Sequence, residues 1–498
     1  MSAENLFPNI PQHWRVTTLG ELAKASGGNI QTGPFGSQLH ASDYVDDGIP
    51  SIMPKNISVD AVVTDDIARV SPEDVERLSK YKVQTGDIIY SRRGDVEKCA
   101  RITPQEDGWL CGTGCLRVRV RPGEVSTEYL HAYLCHPAVR EWIVRHAVGA
   151  TMPNLNTSIL SALPIVIPSK AEMEYISSAW LNLSNKIQLN HQINSTLEQM
   201  AQAIFKSWFV DFEPVKAKVA VLEADGSEED ALLAAMSAIS GKSPADLTHM
   251  QTEQPKQYAE LCATAELFPS AMQESELGKI PEGWSILPLS EHTSALRGLS
   301  YKGKGLVEAG TPMHNLNSVF EGGGYKYAGV KHYSLDFKEK FIVRAGDLLV
   351  ANTEQGHNHL LIGFGATVPH FFDHSFFSHH LYRLRPKADS KVTPEFLAAL
   401  FRNKTFVKKV QGYANGTTVN MLPMSGVEMP EFVCPTKELA VAFSVYAKPL
   451  TLLAEKSHLQ SQALLQLRDT LFPKLLSGEL SVSSAEVQLA EVEETDNV

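Results

Sequence analysis

The 498-residue sequence predicts an α+β fold with two globular domains in a pseudo-twofold repeat, separated by two long packed helices that form a coiled-coil spacer. One supporting observation is that the chain repeats its own sequence after 260 to 270 residues. The other is that each repeat ends at a proline and enters a long heptad pattern. The predicted segments are a first domain at 1–168, a helix at 169–212, an acidic linker at 213–278, a second domain at 279–435, a helix at 436–478 and an acidic disordered tail at 479–498.

The repeat consists of four pairs of matching segments. They are Ile10–Trp14 with Ile280–Trp284, Gly86–Ile89 with Gly346–Leu349, Gly149–Asn154 with Gly416–Asn420, and Pro164–Pro168 with Pro430–Pro435. The period is far longer than the roughly 20 to 50 residues of solenoid units, so it indicates duplicated domains.

Each repeat has the pattern of a compact α+β domain. Short alternating or β-branched runs bounded by glycine and proline predict strands, at 48–53, 87–90 and 116–120 in the first repeat and at 340–343, 347–350 and 381–385 in the second. A helical stretch precedes each exit, at Thr127–His146 and Thr393–Gln411.

The two exits predict capped helices with a shared heptad seam. Ser169 to Glu172 forms a capping box, and Thr436 can cap the second helix. The seam runs from Ile176 to Trp208 and from Leu439 to Leu471. Its polar interruptions fall at the same place in both helices, at Asn190, Asn194, Ser457 and Gln460.

Matched interruptions indicate that the helices pack on each other in a fixed register, although polar residues at a wet edge of the seam would give the same pattern. Lys448-Pro449 predicts an early kink or break in the second helix. About 40 helical residues would span roughly 60 Å, so the pair can serve as a ruler between the domains. In the linker, Asp225 to Asp230 is predicted as a loop within a partly helical segment.

The composition is that of a globular protein in a reducing compartment. No run of 18 apolar residues and no basic segment before an apolar N-terminal stretch is present, so neither a membrane span nor a secretory signal is predicted. The six cysteines are sparse and unevenly shared between the repeats, which argues against a disulfide framework and predicts a cytoplasmic location.

The net charge of −12 is concentrated in two segments. Residues 213–276 hold 12 acidic and 4 basic side chains, and residues 479–498 hold 6 acidic and none basic. The rest of the chain is slightly basic, and local potential decides contact with phosphates. Four basic clusters fit that use or a solvated surface: Arg92, Arg93, Lys98 and Arg101; Arg117, Arg119 and Arg121; Arg297, Lys302 and Lys304; Arg402, Lys404, Lys408 and Lys409.

Motifs for catalysis are missing. Ser240 to Ser243 resembles the end of a phosphate-binding loop, but Met236 stands where that loop needs its first glycine. No dinucleotide-binding glycine motif and no Asn/Asp-Pro-Pro-Tyr motif of adenine methyltransferases occurs.

Two groups of potential metal ligands have alternative interpretations. Cys111 and Cys115, with Cys99 and His131 nearby in sequence, could bind zinc, but paired Cys-x-x-Cys knuckles are absent and buried structural thiols are favoured. Six histidines crowd the second domain and are interpreted as surface or base-contacting groups rather than a metal or nuclease site. They are His357, His359, His370, His374, His379 and His380.

The exit of the first helix, Gln202–Val215, resembles the central conserved region of specificity subunits of type I restriction-modification enzymes. Four further segments agree: Thr32–Leu39, Ser275–Trp284, Gly298–Lys304 and Leu471–Leu480. The resemblance covers nearly the whole chain except the acidic insertion and tail. Where the family often begins its helices with Pro-Pro-x-x-Glu-Gln, this chain has Pro168–Met173 and Pro435–Leu439, which leaves capping intact.

The resemblance implies a non-catalytic DNA-reading subunit without cofactor or metal of its own. In this family, two target-recognition domains each bind half of a split, asymmetric double-stranded DNA site, and the conserved helices set the spacing and dock two methyltransferase (M) subunits. The M subunits methylate adenine N6 with S-adenosylmethionine, and restriction (R) subunits translocate and cleave unmodified DNA with ATP and Mg²⁺.

Lysine and arginine suit phosphates, while planar donors and acceptors suit base edges. The predicted DNA contacts in the first domain are Thr32, Phe35, Ser37, Gln38, Arg92, Arg93, Lys98, Thr151 and Asn154. Those in the second are Tyr301, Lys302, Lys304, Asn352, Thr353, Glu354, Gln355, Thr417 and Asn420. Thr151, Asn154, Thr417 and Asn420 could equally cap the repeated turn. The resemblance places M-subunit docking on Phe205, Trp208, Phe209, Leu471, Phe472 and Leu475.

Two alternatives remain open at this point. One is a coiled-coil scaffold that assembles partners without reading DNA. The other is a specificity subunit of a complex that only methylates or serves another defence function.

Overall fold

The computed structural model describes residues 6–7, 10–58, 61–64, 66–149, 153–356, 358–416 and 419–482. The chain divides into two compact units. The first unit comprises Met1–His191 and Leu459–Val498, and the second comprises Gln192–His458. The predicted tail after Leu480 lies almost wholly outside the described residues.

The first globular domain alternates short strands and helices and leads into a long helix. Its elements are β1 (Arg15–Thr18), α1 (Leu19–Ala25), β2 (Asn29–Thr32), β3 (Tyr44–Val45), β4 (Ile49–Ile52), β5 (Ala68–Val70), α2 (Pro72–Arg77), β6 (Ile88–Ser91), β7 (Cys99–Arg101), β8 (Leu110–Cys111), β9 (Cys115–Arg119), α3 (Thr127–Leu134), α4 (Pro137–His146), α5 (Thr157–Ser161), β10 (Pro164–Ile167) and α6 (Lys170–Phe209).

The strands of this domain form two four-stranded sheets and one two-stranded sheet. The four-stranded sheets have the orders β2-β9-β6-β7 and β3-β5-β4-β8, and β1 pairs with β10. The predicted helix Thr127–His146 is divided into α3 and α4 because Pro137 starts a new helix. The apolar core gathers α1, α3, α4 and the first turns of α6.

The acidic segment folds as a set of helices. They are α7 (Glu213–Glu223), α8 (Glu228–Ser240), α9 (Pro244–Glu253) and α10 (Pro255–Glu266). The predicted loop was too long, because Ser227 caps α8 with a capping box to Asp230 and so brings residues 228–230 into the helix. The segment has its own apolar core around Ala235, Met236 and Leu247.

The second globular domain repeats the main strands and helices of the first in the same order and adds further short strands. Its elements are β11 (Met272–Gln273), β12 (Ile280–Pro281), β13 (Ser285–Pro288), α11 (Leu289–His292), β14 (Thr293–Arg297), β15 (Leu306–Val307), β16 (Thr311–His314), β17 (Lys331–Tyr333), β18 (Leu348–Ala351), β19 (Thr353–Gln355), β20 (Gly365–Thr367), β21 (Phe376–Phe377), β22 (Leu381–Pro386), α12 (Pro394–Leu400), α13 (Lys404–Gln411), β23 (Val419–Met421), α14 (Ser425–Glu428), β24 (Glu431–Cys434) and α15 (Lys437–Leu476).

Its sheets repeat the topology of the first domain. The orders are β14-β22-β18-β20 and β15-β17-β16-β21, with β13 paired to β24. The predicted α+β fold and its duplication are therefore confirmed. One strand prediction was wrong, because residues 339–341 form a short 3-10 helix and Ile342 makes only an isolated bridge to Phe376.

The long helices α6 and α15 each run for 40 residues and pack against each other. In the first unit, the Trp180 ring lies edge-on to Phe472 at 5.0 Å. In the second unit, Phe205 and Trp208 pack against Phe443 at 5.7 and 6.2 Å. Within the first unit, Trp180 of α6 meets Phe472 of α15 and the later Asn190 meets the earlier Gln460, so the helices run antiparallel there.

Of the predicted kink or break at Lys448-Pro449, the break is wrong, because α15 continues through it. Proline removes one backbone donor from a helix, but Phe443 and Ala447 are buried in the core and hold the preceding turns. The seam prediction also fails at Leu453, which is 50% exposed.

The polar centre of the seam is a paired contact. Asn190 Nδ2 donates a hydrogen bond to Gln460 Oε1 at 3.1 Å, and Asn190 is buried. This bond joins two of the matched interruptions, as the fixed-register hypothesis requires.

Removing one partner of the Asn190–Gln460 pair is expected to lower the free energy of unfolding more than removing both partners. Asn190→Leu should destabilise the first unit by about 1–3 kcal/mol, because it leaves Gln460 without this donor, whereas Asn190→Leu/Gln460→Leu should recover part of the loss. Urea unfolding of both single variants and the double variant measures the coupling. Gln188→Leu, exposed on the same helix, should change stability by less than about 0.5 kcal/mol. Strictly additive effects would contradict the pairing.

None of the helices in the described part of the chain combines the length and apolar character needed to cross a membrane.

Candidate nucleic-acid interface

An ion pair on a buried aspartate, at equivalent positions, supports both globular domains. Arg119 holds both oxygens of Asp87, with Nε–Oδ1 and Nη2–Oδ2 distances of 2.7 and 2.6 Å. Arg385 holds Asp347 in the same way, at 2.6 Å for each bond. Bidentate arginine–carboxylate pairs combine energy with fixed geometry. They join the sheet strand β9 or β22 to the turn before β6 or β18.

A second pair of arginines braces the same turns. Arg117 Nη1 donates to the carbonyls of Lys80 and Lys82 at 3.1 and 2.8 Å. Arg383 Nη1 donates to those of Lys340 and Ile342 at the same distances. Burial lowers the pKa of Arg117 and of Arg383. Two members of the basic cluster at 117–121 are therefore internal supports rather than a phosphate-binding surface.

Glycine is required where each domain begins its exposed loop. A Cβ added to Gly33 would lie 2.1 Å from the Gly112 carbonyl oxygen, and one added to Gly298 would lie 2.2 Å from that of Ser378. Larger residues are excluded by this close approach. Gly33 and Gly298 are thus equivalent, and the loops that follow start from the same place despite their unrelated sequences.

In the first domain, the loop lies beside the end of β6. The Arg92 guanidinium lies 5.8 Å from the centre of the Phe35 ring, and Phe35 is 54% exposed. Arg92 is half-buried and Arg93 is exposed. Arg93 also bridges to Asn154, so the repeated turn lies against this strand end. We call Phe35, Arg92, Arg93 and Asn154 the first loop cluster.

Arg92 has an unsatisfied donor. Its Nε atom is buried and has no hydrogen-bond partner within the described residues. The Arg92 backbone is fixed by bonds from its N–H to Gly114 and from Leu155 to its carbonyl, at 2.8 and 2.9 Å. A hydrogen-bond acceptor on a bound ligand would satisfy the Arg92 Nε–H group, because buried polar groups are rarely left unpaired.

The other residues predicted in the first domain have mixed surroundings. Gln38 supports the loop, since its Oε1 accepts from Phe35 N–H at 3.2 Å and from the Tyr81 hydroxyl at 2.7 Å. Ser37 is exposed and Thr32 is half-buried at the end of β2. Lys98 is paired with Asp95. Thr151 lies outside the described residues.

In the second domain, four of the predicted contact residues are buried: Asn352, Thr353, Glu354 and Asn420. Glu354 accepts hydrogen bonds from the backbone N–H groups of residues 360, 361 and 362, at 2.8 to 3.2 Å. The Thr353 hydroxyl lies 3.0 Å from His380 Nδ1. Thr353 and Glu354 therefore hold neighbouring loops, and their predicted DNA contact stays a prediction. Gln355 is exposed.

Asn352 is also buried, at 1% exposure, and occupies the position equivalent to Arg92. Its Nδ2 donates to the His379 carbonyl at 3.0 Å, while its Oδ1 has no hydrogen-bond partner in the described chain. Asn420 pairs in the strand ladder with Glu354 and donates to the Gly356 carbonyl. Thr417 lies outside the described residues.

Tyr301, Lys302 and Lys304 lie on the loop after Gly298, and both lysines are exposed. The Tyr301 ring lies 6.2 Å from His379, whose Nδ1 is buried without a partner among the described residues. Arg297 Nε donates to the His379 carbonyl at 3.1 Å. We call Arg297, Tyr301, Asn352 and His379 the second loop cluster. Arg297 belongs to a basic cluster predicted from the sequence and His379 to the predicted surface or base-contacting histidines, and Arg297 is the register equivalent of Thr32.

His314 is a buried neutral histidine that supports the second domain. Its Nε2 lies 2.6 Å from the Ser375 hydroxyl and its Nδ1 lies 2.7 Å from that of Tyr325. Burial lowers the pKa of His314 to about 3.

The low pKa of His314 predicts that acid destabilises the second unit. Its pKa in the unfolded chain is about 6.5. Below that pH the unfolded state binds the proton more readily, so stability should fall by about 2 kcal/mol between pH 6.5 and pH 5. Urea unfolding should show a flatter pH dependence for His314→Gln than for the parent. The exposed-site variant His249→Gln should keep the parent slope, and an unchanged slope in His314→Gln would contradict the assignment.

The comparisons with known proteins match long stretches of this chain. A family model described as "Type I restriction modification DNA specificity domain" matches residues 11–199. The chain is 30% identical over 430 residues to the "Type I restriction enzyme HindI specificity subunit" of Haemophilus influenzae, covering 82% of this chain and 89% of that protein. The chain belongs to the family of type I restriction enzyme specificity subunits.

The chain is also 22% identical over 492 residues to the "Type I restriction enzyme MjaIX specificity subunit" of Methanocaldococcus jannaschii. That match covers 95% of this chain and 95% of that protein. The crystal structure of an S subunit from M. genitalium aligns with a TM-score of 0.49 and 12% identity, covering 94% of this chain and 96% of that one. Members of the family are non-catalytic subunits of restriction-modification complexes.

The predicted docking residues of this specificity subunit are buried in its own cores. Exposure is 5% or less for all of them: Phe205, Trp208, Phe209, Leu471, Phe472 and Leu475. These side chains pack within the chain itself, and the predicted docking role of the helices that carry them stays a prediction. The aromatic residues of the motif hold α6 and α15 on the globular domains.

Proposed function

We propose that each globular domain of this specificity subunit reads one half of a bipartite, asymmetric DNA site. Recognition is assigned to residues 1–168 and 279–435, and spacing to the helical segments 169–212 and 436–478. Two M subunits would methylate adenine N6 with S-adenosylmethionine, and R subunits, where present, would cleave with ATP and Mg²⁺. The assembly acts on cellular DNA and therefore in the cytoplasm.

The observation that carries this proposal is the difference between two equivalent positions on a repeated frame. The Asp87–Arg119 and Asp347–Arg385 pairs have the same geometry. The residue after the supported strand is Arg92 in one domain and Asn352 in the other, and each has a buried polar atom without a partner among the described residues. Arginine suits guanine and asparagine suits adenine in the major groove, so the domains have the means to read different bases.

Two readers on one chain give more selectivity than either alone. A wrong base pair costs about 1–3 kcal/mol, roughly additively for separated positions. Once one domain is bound, the other meets its half-site at high effective concentration. Arg93, Lys302 and Lys304 are exposed and suited to phosphate contacts that place the domains.

Exchange of one domain tests the proposal. Residues 1–168 would be replaced by the matching segment of a relative with another specificity, and cells carrying the subunits would be examined by methylome sequencing. One half of the methylated site should change and the other should stay. The reciprocal exchange of 279–435 is the matched control and should change the opposite half. A change in both halves, or in neither, would overturn the division of labour, and loss of sequence selectivity altogether would favour a scaffold.

Docking of an M subunit fits an exposed apolar stripe on α15. Val441, Val445 and Leu452 recur at helical spacing and are 47, 68 and 40% exposed. They lie on the face opposite the buried Phe443 and Ala447. Contiguous exposed apolar side chains on a helix indicate a partner surface, and the family membership makes a methyltransferase subunit the expected occupant.

Val445→Asp is therefore expected to weaken assembly with the M subunit by at least tenfold, because a carboxylate would be desolvated in the interface. Light scattering after size-exclusion chromatography measures the assembly. Thr451→Asp, exposed on the same helix about a quarter turn away, should assemble normally. Equal assembly of both variants would rule out the stripe as the docking surface.

A further inference from the structure

Three soft-metal ligands meet in the core of the first domain. Cys99 begins β7, His131 lies in α3, and Cys135 follows α3 one turn later. One ligand atom from each of these residues lies within 4.8 Å of the others. His131 and Cys135 are four residues apart, so they share one helix face. None of these three residues belongs to the first or second loop cluster.

The distances match those of a tetrahedral zinc centre. Zinc binds thiolate at about 2.3 Å and imidazole nitrogen at about 2.0–2.1 Å. Two thiolates on one tetrahedral ion are then about 3.8 Å apart, and a thiolate and an imidazole nitrogen are about 3.6 Å apart. The Cys99 Sγ–Cys135 Sγ distance is 3.9 Å, and the Cys135 Sγ–His131 Nε2 distance is 3.6 Å.

A fourth polar group lies beside the two thiols. The Tyr90 hydroxyl is buried and has no hydrogen-bond partner within the described residues. Tyr90 is the cross-strand partner of Cys99 in the β6–β7 pair, and its side chain interacts with that thiol. A buried tyrosine usually finds a partner for its hydroxyl, and an ion held by the thiols would supply one.

Charge balance favours a divalent ion in this core. Two thiolates with neutral imidazole and phenol donors would neutralise Zn²⁺, so the buried set would carry no net charge. Cys99 and His131 are buried, and Trp180 of α6 covers His131 edge-on at 6.1 Å. The site is therefore closed in the way of a structural metal centre.

We propose that Cys99, His131 and Cys135, with the Tyr90 hydroxyl as fourth donor, bind one Zn²⁺ that ties α3 and β7 together under the long helix α6. The ion would fix the base of the first globular domain where Trp180 packs. The site differs from the zinc arrangement weighed from the sequence, because Cys111 and Cys115 belong to a separate core cluster around Ile52 and Ile89. The second domain has no such set among its described residues.

Metal analysis of the full-length chain, purified without chelator from zinc-supplemented cells, tests the site. We expect about one zinc per chain by mass spectrometry of metals, and its loss in Cys99→Ala, His131→Gln and Cys135→Ala. Cys111→Ala is the matched control, since it removes a buried thiol of the same domain, and should keep the zinc. Tyr90→Phe should keep the fold and bind zinc at least tenfold more weakly.

The parent protein allows a test that does not depend on the folding of variants. Cobalt titration of chelator-treated protein should produce an intense thiolate-to-cobalt absorption band that saturates at one equivalent and is displaced by zinc. Absence of metal in the parent together with no cobalt band would overturn the proposal. So would recovery of a Cys99–Cys135 disulfide peptide, or zinc retained by Cys99→Ala. Unchanged zinc affinity in Tyr90→Phe would overturn the assignment of the fourth donor.

Discussion

Arg92→Ala/Arg93→Ala is expected to weaken binding of the assembled complex to its DNA site by at least a hundredfold. Arg92 has a buried Nε without a partner among the described residues and lies over the exposed Phe35 ring, so it is positioned for a base edge. A good bidentate base contact is worth about 1–3 kcal/mol. Arg93 is exposed and suited to a phosphate, and each phosphate contact changes the logarithmic salt slope by about 0.9.

The single variants separate these two roles. Arg92→Ala should relax the sequence preference within one half-site, whereas Arg93→Ala should weaken binding to all sequences and lower the salt slope by about 1. Fluorescence anisotropy at several salt concentrations, on sites altered in one half or the other, measures both effects. Arg121→Ala, exposed beyond the far end of β9, should bind as the parent does. Equal losses on both half-sites with Arg92→Ala would contradict base reading by the first loop cluster.

Trp208→Ala is expected to destabilise the second unit by about 3–5 kcal/mol, the range for deleting a large buried aromatic side chain. Trp208 is 1% exposed. Its ring lies 5.2 Å from that of Phe268 and 5.4 Å from that of Tyr446, both edge-on. The cavity would open where α6, α15 and the acidic helical segment meet, so several elements would lose packing together.

Urea unfolding followed by circular dichroism measures this loss. Leu189→Ala is the matched control, since it removes an apolar side chain of the same helix that is 53% exposed. It should cost less than about 0.5 kcal/mol. If Trp208→Ala cost no more than the control while losing the M subunit, then this residue would be part of a docking surface after all.

Periodic features were predictable because they depend on spacing alone. The long helices follow from the heptad pattern, and the pairing of Asn190 with Gln460 follows from the matched interruptions. The duplicated sheets follow from repeated short motifs, of which Gly86-Asp87 and Gly346-Asp347 are the clearest. Both glycines have positive φ, at 91° and 86°, and both aspartates receive a bidentate arginine.

Burial of polar and aromatic side chains was not predictable in the same way. Glu354 follows a predicted strand in a polar run and resembles a surface residue, yet the backbone N–H groups of residues 360–362 converge on it. Phe205 and Trp208 belong to a distinctive motif, which fits packing as well as docking. Only the tertiary arrangement decides which surface a side chain covers, because spacing along one helix does not reveal what lies against it.

The division of the chain into units also has a consequence for its biosynthesis. The first unit takes its core from residues up to His191 and from those after Leu459, and Leu471, Phe472 and Leu475 are part of that core. The His136 ring contacts the Pro473 carbonyl across 337 positions of sequence. Contacts so distant in sequence slow folding. The core of the first unit can therefore be completed only after residues 471–476 have been synthesised, although most of its members precede them by about 300 residues or more.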